Sequence, residues 1–97
     1  MDVTEAIRTL KQRRASLRGS KLIKILESLG FEVIAGSGGP GHRVVKHDGL
    51  TDFIGSDFNC PGGRTNAELK PIYVKKMQKL LEDFEQELVA LQEEQND

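Results

Sequence analysis

Apolar residues recur at helical spacing in the first thirty residues of the chain. The first set begins just after Asp2, a residue that can cap a helix, and consists of Val3, Ile7, Leu10 and Leu17. This heptad-like spacing predicts a helix over residues 3–16 with one apolar stripe. A second helix is predicted over 21–29, with Ser20 as its N-cap and Gly30 at the position of a left-handed C-terminal cap.

Beyond Gly30 the pattern changes to short runs typical of β-strands. These runs are FEVIA at 31–35, HRVVKH at 42–47 and LTDFI at 50–54. The pair Asp48-Gly49 separates the last two runs and favours a tight type I′ hairpin. Three antiparallel strands are therefore predicted, followed by a long turn-rich surface loop over 55–68.

A long final helix is predicted from Pro71 to about Gln92, because proline is favoured in the first turn of a helix. Its apolar residues advance by alternating steps of four and three, namely Met77, Leu81, Phe84, Leu88 and Leu91. Such a stripe can form a coiled-coil homodimer or pack against the first helix of the same chain. We favour packing within the chain, and a homodimer through this helix stays open.

The order of these elements indicates an α+β fold. A small three-stranded antiparallel sheet would carry its helices on one face and leave the other face partly open. At 97 residues the chain is long enough for one core, so a single domain is expected.

Composition excludes several classes of protein. No apolar run is long enough to span a membrane, and the start MDVTEAIRTL lacks the features of a signal peptide, so a cytoplasmic location is expected. Cys60 is the single cysteine, which excludes an internal disulfide and a multi-thiolate zinc site. No cluster of carboxylates and histidines has metal-ligand spacing, so we expect no metal and no cofactor.

The charges are unevenly distributed along the chain. Seven basic and no acidic residues lie between Ala6 and Leu26, whereas seven acidic and no basic residues lie from Leu80 to Asp97. A basic stretch can follow a phosphate backbone. Pairing of the basic first helix with the acidic last helix explains the same pattern equally well.

One glycine-rich stretch, GSGGPGHRVVKHDG at 36–49, delivers His42 to the start of a predicted strand. Ordering glycine is costly, so something approaches the backbone closely there or the segment stays mobile. Histidine suits proton transfer near neutral pH, because its unperturbed pKa is about 6.5. Acid–base chemistry at a phosphate needs such a group, with cations near the phosphate.

The cations that could serve this chemistry are Arg43, Lys46 and Lys70, and backbone N–H groups of the glycine loop, including that of Gly41, could add donors. Strand alternation places Lys46 on the same face as His42 and Arg43 on the other. His47 is expected at the end of the hairpin rather than in a catalytic role.

Residues 19–84 resemble the HicA (YcfA-like) toxins, the messenger-RNA interferases of bacterial toxin–antitoxin pairs. Three motifs carry the resemblance in the family's order: GSKLIKILESLGF at 19–31, Gly36-Ser37 followed by His42, and Glu-Leu-Lys-Pro at 68–71. The chain departs from the family pattern where Gly38 to Gly41 separate the Gly-Ser pair from the histidine. It departs again at Arg43, where many members have a second histidine, and in its longer 55–67 loop.

The resemblance implies an α-β-β-β-α core similar to a double-stranded-RNA-binding domain. That core would span residues 19–84, preceded by a helical extension over 1–17 and followed by the acidic end of the last helix over 85–97. The resemblance also implies an endoribonuclease that cleaves single-stranded messenger RNA through His42 without a metal, and a HicB-type antitoxin as its partner. A non-catalytic RNA-binding or protein-interaction module that has kept the fold is the alternative.

Overall fold

The structure is a computed structural model that describes residues 1–95. Its elements in chain order are α1 (Val3–Gln12), α2 (Gly19–Ser28), β1 (Glu32–Ala35), β2 (His42–Lys46), β3 (Ser56–Asn59), a short 3-10 helix (Pro61–Gly63), α3 (Pro71–Asp83) and α4 (Glu85–Gln95). The α+β class and the three-stranded antiparallel sheet are confirmed.

The first two helices lie where they were predicted, but some of their predicted ends and caps differ. Asp2 caps α1, with its Oδ1 accepting from the N–H of Glu5 at 2.8 Å. The predicted end at residue 16 is wrong, because α1 ends at Gln12 and residues 13–16 form a turn. The predicted Ser20 cap is also wrong, because α2 begins at Gly19, two residues before the predicted start, and its N-cap Arg18 forms no side-chain cap bond.

A left-handed glycine ends α2, as predicted. Gly30 has a φ of 91° and donates its N–H to the Glu27 carbonyl at 3.0 Å. The N–H of Phe31 reaches back to the Leu26 carbonyl at 3.0 Å. These two bonds form a Schellman motif, which satisfies helix carbonyls and turns the chain into β1.

The sheet has the order β1-β2-β3, with β2 in the centre. Val33 lies opposite Val45 across the first pair of strands, and Arg43 lies opposite Phe58 across the second. Val45 and Phe58 are both fully buried. This face of the sheet therefore forms part of the core.

The third strand lies later in the chain than predicted. LTDFI at 50–54 is turn and irregular structure, and SDFN at 56–59, predicted as loop, forms β3. Leu50 is buried and Phe53 packs on the core, so their apolar character reflects a packed connection rather than a strand. Gly49 does not have the positive φ that a type I′ turn requires, and residues 47–55 join β2 to β3 instead of a tight hairpin.

The final helix is interrupted at Phe84, which corrects the prediction of one continuous helix. Phe84 has φ −113° and ψ 16° and separates α3 from α4. The predicted stripe is nonetheless buried within the chain at Met77, Leu81 and Leu88, and α1 contacts both helices. The favoured packing within one chain is thus present.

One cluster of buried apolar residues includes side chains from α1 through α4. Val3, Ala6 and Leu10 of α1 are fully buried, so the first helix is part of this core. Within residues 1–95, no helix has both the length and the apolar character needed to cross a bilayer.

Candidate functional site

The two faces of the central strand β2 differ in polarity. Val45 points into the core, whereas alternation places His42, Val44 and Lys46 on the opposite, more exposed face. Asp57 and Asn59 of β3 share that face, because they lie opposite Val44 and His42 in the strand register. The outer face of the sheet therefore brings a histidine, a carboxylate and a carboxamide together.

Both ring nitrogens of His42 are hydrogen-bonded. The N–H of Gly38 donates to Nδ1 at 3.0 Å, and Nε2 lies 2.8 Å from Oδ2 of Asp57. A backbone N–H can only donate, so Nδ1 carries the lone pair and Nε2 carries the proton given to Asp57. The side chain is 16% exposed, which leaves the ring at the protein surface but covered by the glycine loop.

Asp57 joins His42 to a cation on another element. Its Oδ1 lies 2.5 Å from Nζ of Lys76 on α3. The hydrogen bond from Lys76, and secondarily the one from His42, lowers the pKa of the Asp57 carboxyl below its ordinary value. The carboxylate is therefore ionised at neutral pH and fixes the orientation of the imidazole.

Register explains this contact. Asn59 stands directly opposite His42, and Asp57 is the diagonal neighbour on the same face. Diagonal neighbours are within reach of long side chains in an antiparallel pair. Neither Asp57 nor Lys76 was predicted from the sequence, because the first lies in a segment assigned to loop and the second is one of several lysines on a helix.

The glycines near His42 are required by close approach. A Cβ at Gly36 would overlap the imidazole, and one at Gly38 would lie 3.0 Å from Nδ1. A Cβ at Gly41 would overlap the Cys60 carbonyl. The glycine-rich stretch therefore packs against the His42 ring and against Cys60, the residue that follows β3. A side chain at these glycines would not fit.

A cleft of about 330 Å³ borders the glycine loop that covers this ring. Two glycine-bearing segments, 38–41 and 60–63, form part of its wall, together with Asn59, Lys70 and Tyr73. The Tyr73 hydroxyl accepts a hydrogen bond from Asn59 Nδ2 at 3.2 Å. Two wall residues of the cleft adjoin the histidine, because Asn59 lies opposite His42 in the register and the N–H of Gly38 donates to its ring.

The predicted RNA-binding residues lie in three places. Lys70 and Gly41 line the cleft. Lys46 shares the face of His42, but four residues along a strand separate them by about 13 Å. Arg43 lies on the other face, as its alternation predicts, and its Nη1 donates to the Pro40 carbonyl at 3.2 Å and the His42 carbonyl at 3.1 Å. Arg43 therefore holds the glycine loop.

His47 occupies a position that stabilises the fold. Nδ1 accepts from the N–H of Gly49 at 3.0 Å, and Nε2 lies 3.0 Å from the Leu29 carbonyl. Its ring also packs edge-on against Phe31, with centroids 4.7 Å apart. His47 joins the end of α2 to the connection after β2, away from His42.

The remaining chemical groups contribute little to this site. Cys60 is buried, and burial raises the pKa of its thiol, which keeps the group protonated and unreactive. Among residues 1–95, no three His, Cys, Asp or Glu side chains lie close enough together to hold a metal ion.

In the described chain, the basic first helix forms one salt bridge to the acidic segment that begins at Leu80. Lys11 Nζ lies 3.6 Å from a carboxylate oxygen of Glu82. Arg8, Arg13 and Arg18 are exposed and form no salt bridge to any residue that the structure describes. Apolar packing rather than charge pairing therefore holds these helices together.

Comparison with known proteins finds no match to the chain among family models, curated proteins or solved structures.

Proposed function

We propose that the chain is a HicA-like toxin, a metal-independent endoribonuclease that cleaves single-stranded messenger RNA with His42 as its general acid and base. The observation that carries the proposal is the contact of His42 with Asp57 and, through it, with Lys76 on an accessible sheet face. A carboxylate that orients an imidazole beside a cation is an arrangement suited to proton transfer near a phosphate.

The reaction uses the substrate's own 2′-hydroxyl. Nδ1 of His42 takes the 2′-hydroxyl proton while the 2′-oxygen forms a bond to phosphorus and the bond from phosphorus to the 5′-oxygen breaks. The imidazolium then returns the proton to the departing 5′-oxygen, which leaves a 2′,3′-cyclic phosphate and regenerates the histidine. Asp57 keeps the other ring nitrogen in place and stabilises the imidazolium.

RNA must displace one hydrogen bond to reach the base. In the free protein the N–H of Gly38 donates a hydrogen bond to Nδ1 of His42. The 2′-hydroxyl takes the place of this N–H when the substrate binds. Gly38 and its neighbours through Pro40 are exposed, and Gly39 has open space around its Cβ position. In this proposal the exposed loop over the catalytic nitrogen moves aside when RNA binds.

The cations divide into two groups in this proposal. Lys76, which shares Asp57 with His42, and Lys70 in the cleft are placed to offset charge on the phosphate that reacts and on its neighbour. Lys46 contacts the backbone farther along the RNA. Gly41 shapes the cleft wall, and Arg43 supports it from the other face.

The wider assignments rest on the motif resemblance. They are a core similar to a double-stranded-RNA-binding domain with helices on one sheet face, a HicB-type antitoxin that covers His42, and action in the cytoplasm. The order of α2, three antiparallel strands and α3 agrees with such a core.

The test compares His42→Ala with the matched variant His47→Gln. We expect His42→Ala to cleave RNA at least a hundredfold more slowly than wild type, which is roughly the contribution of a general acid or base. We also expect its expression to cause no growth arrest. We expect His47→Gln to retain both. Circular dichroism confirms folding, and detection of 2′,3′-cyclic phosphate ends identifies the reaction. Cleavage by His42→Ala at the parental rate contradicts the proposal.

A second candidate is a non-catalytic module that binds RNA or protein through the same face. It is favoured by the same hydrogen bonds, because a ring that is 16% exposed and bonded at both nitrogens also suits a structural role. Wild-type protein that binds single-stranded RNA but never cleaves it supports this second function.

A further inference from the structure

We propose that the cleft beside His42 is a subsite for one unpaired nucleotide, with the base stacked on Tyr73 and the phosphate held by Lys70. The assignment of this nucleotide to single-stranded RNA rests on the proposed function, whereas the subsite itself rests on the shape and chemistry of the cleft.

The size of the cleft fits a small, flat ligand. Its volume of about 330 Å³ lies at the lower end of the range for small-molecule sites, roughly 300–1,000 Å³. Five of its wall residues are glycines, and Pro40 and Pro61 lie among them, so few long side chains narrow the opening. A planar base can enter such an opening, whereas a paired and stacked base of a duplex cannot.

Tyr73 and Lys70 supply the two interactions that single-stranded RNA needs. Tyr73 is half-buried against the core and contributes an aromatic wall. Its oxygen accepts from Asn59, so its own proton stays available to an acceptor. Lys70 is exposed and forms no salt bridge among residues 1–95. Stacking platforms combined with cations are the usual means of binding unpaired nucleotides.

The position of the cleft connects binding to catalysis. Gly38, which caps Nδ1 of His42, is also a wall residue of the cleft. A nucleotide that enters the cleft therefore contacts the loop that must move before the 2′-hydroxyl of its neighbour reaches the histidine. Occupation of the cleft and exposure of the catalytic nitrogen are thus coupled through one residue.

The experiment measures binding separately from cleavage. A short 2′-O-methyl oligoribonucleotide cannot be cleaved by 2′-hydroxyl attack, so its fluorescence anisotropy reports affinity alone. Tyr73 is the single tyrosine and the chain has no tryptophan, so tyrosine emission is a second readout that comes only from this cleft. A duplex of the same sequence tests whether the base must be unpaired.

Two pairs of variants test the two interactions. We expect Tyr73→Leu to weaken binding by roughly 5- to 100-fold, the range for loss of one stacked base, and Tyr73→Phe to bind as the wild type does. We expect Lys70→Gln to weaken binding and to lower the slope of log affinity against log salt by about 0.7, as for one lost phosphate contact. Lys75→Gln removes the same charge from α3, the helix that Lys70 precedes, but outside the cleft, and should leave the affinity within about twofold.

The outcomes separate this inference from the proposed ribonuclease function. Unchanged affinity in Tyr73→Leu, or equal binding of duplex and single strand, overturns the subsite even if His42-dependent cleavage occurs. Binding that depends on Tyr73 and Lys70 supports the subsite even if unmodified RNA is never cleaved, in which case only the ribonuclease proposal fails.

Discussion

The Asp57 carboxylate bonds to both the imidazole of His42 and the ammonium of Lys76. Its side chain is 48% exposed, so the energy of these contacts is reduced by solvent. Their importance in the proposed mechanism is therefore geometric, because Lys76 holds Asp57 in place and Asp57 accepts the proton on Nε2 of His42.

Asp57→Asn should lower the rate of RNA cleavage by roughly 10- to 1,000-fold, which is less than the largest contribution of a general acid or base. The amide can hold the ring by accepting one hydrogen bond, but it cannot stabilise the imidazolium. Asp52→Asn is the control, because Asp52 is exposed on the β2–β3 connection and forms no salt bridge among the described residues. Single-turnover kinetics measure the effect, and equal rates in the two variants contradict the role of Asp57.

Acid should remove the stabilising contribution of Asp57. Its folded pKa lies below the ordinary value of 3.8, so the contribution is present above that value and is lost as pH falls through the folded pKa. The free energy of unfolding of wild type should exceed that of Asp57→Asn by less than about 1 kcal/mol at neutral pH. Urea unfolding of both proteins from neutral pH to strong acid should show this difference shrinking, and a difference that grows in acid would contradict the sign.

Gly36→Ala should disturb His42 directly. The added methyl group would overlap the imidazole and the Val44 side chain, so the ring must move or the strand must shift. Overpacking of this kind costs about 1–3 kcal/mol of unfolding free energy. Ser37→Ala alters the adjacent exposed residue without this overlap and serves as the control. The melting temperature and the cleavage rate should both be lower in Gly36→Ala than in wild type, and both should be unchanged in Ser37→Ala.

At the scale of elements, the helices were easier to predict than the sheet. Helix ends depend on local backbone chemistry, which can be recognised from residue type alone. The examples here are the cap at Asp2, the left-handed Gly30 and Pro71 in the first turn of α3. β3 has the sequence SDFN, in which only Phe58 is a strong strand former. Its pairing depends on β2 and on burial of Phe58, both of which are nonlocal.

The same distinction applies to the candidate site. The catalytic role of His42 was predicted mainly from the family resemblance, which three local motifs along the chain carry. Asp57 was missed because its place beside His42 depends on the register of β3, and Lys76 was missed because α3 had to be positioned first. Tyr73 was missed for the same reason, because it lines the same cleft as the glycine loop only once the chain has folded.

The Schellman motif between α2 and β1 should depend on Gly30. Alanine is strained at a φ of 91°, and its Cβ would also lie 2.9 Å from Nε2 of His47. Gly30→Ala should therefore lower the unfolding free energy by more than about 1 kcal/mol. Glu27→Ala on the exposed side of the same helix should change it by less than about 0.5 kcal/mol. Chemical denaturation compares the two, and equal effects would mean that the cap contributes little.

At the scale of the whole molecule, α1 is as integral to the core as the sheet is. Its buried Leu10 belongs to the same cluster as Met77, Leu81 and Leu88, the stripe that could otherwise have formed a homodimer seam. A 97-residue domain is stabilised by only about 5–15 kcal/mol. Loss of the contacts of α1 is therefore comparable with the whole stability of the fold.

Leu10→Ala should lower the unfolding free energy by about 2–5 kcal/mol, the cost of a cavity in a packed core. If the stripe on α3 and α4 packs within one chain, the melting temperature of wild type and variant should not change with protein concentration. A dimer held together by Met77, Leu81 and Leu88 would instead melt at higher temperature as concentration rises, because association stabilises the folded state by mass action. Calorimetry over a wide concentration range, with light scattering for the molar mass, distinguishes the two. A concentration-dependent melting temperature would mean that these residues are shared between chains, and that α1 covers them only in the isolated protomer.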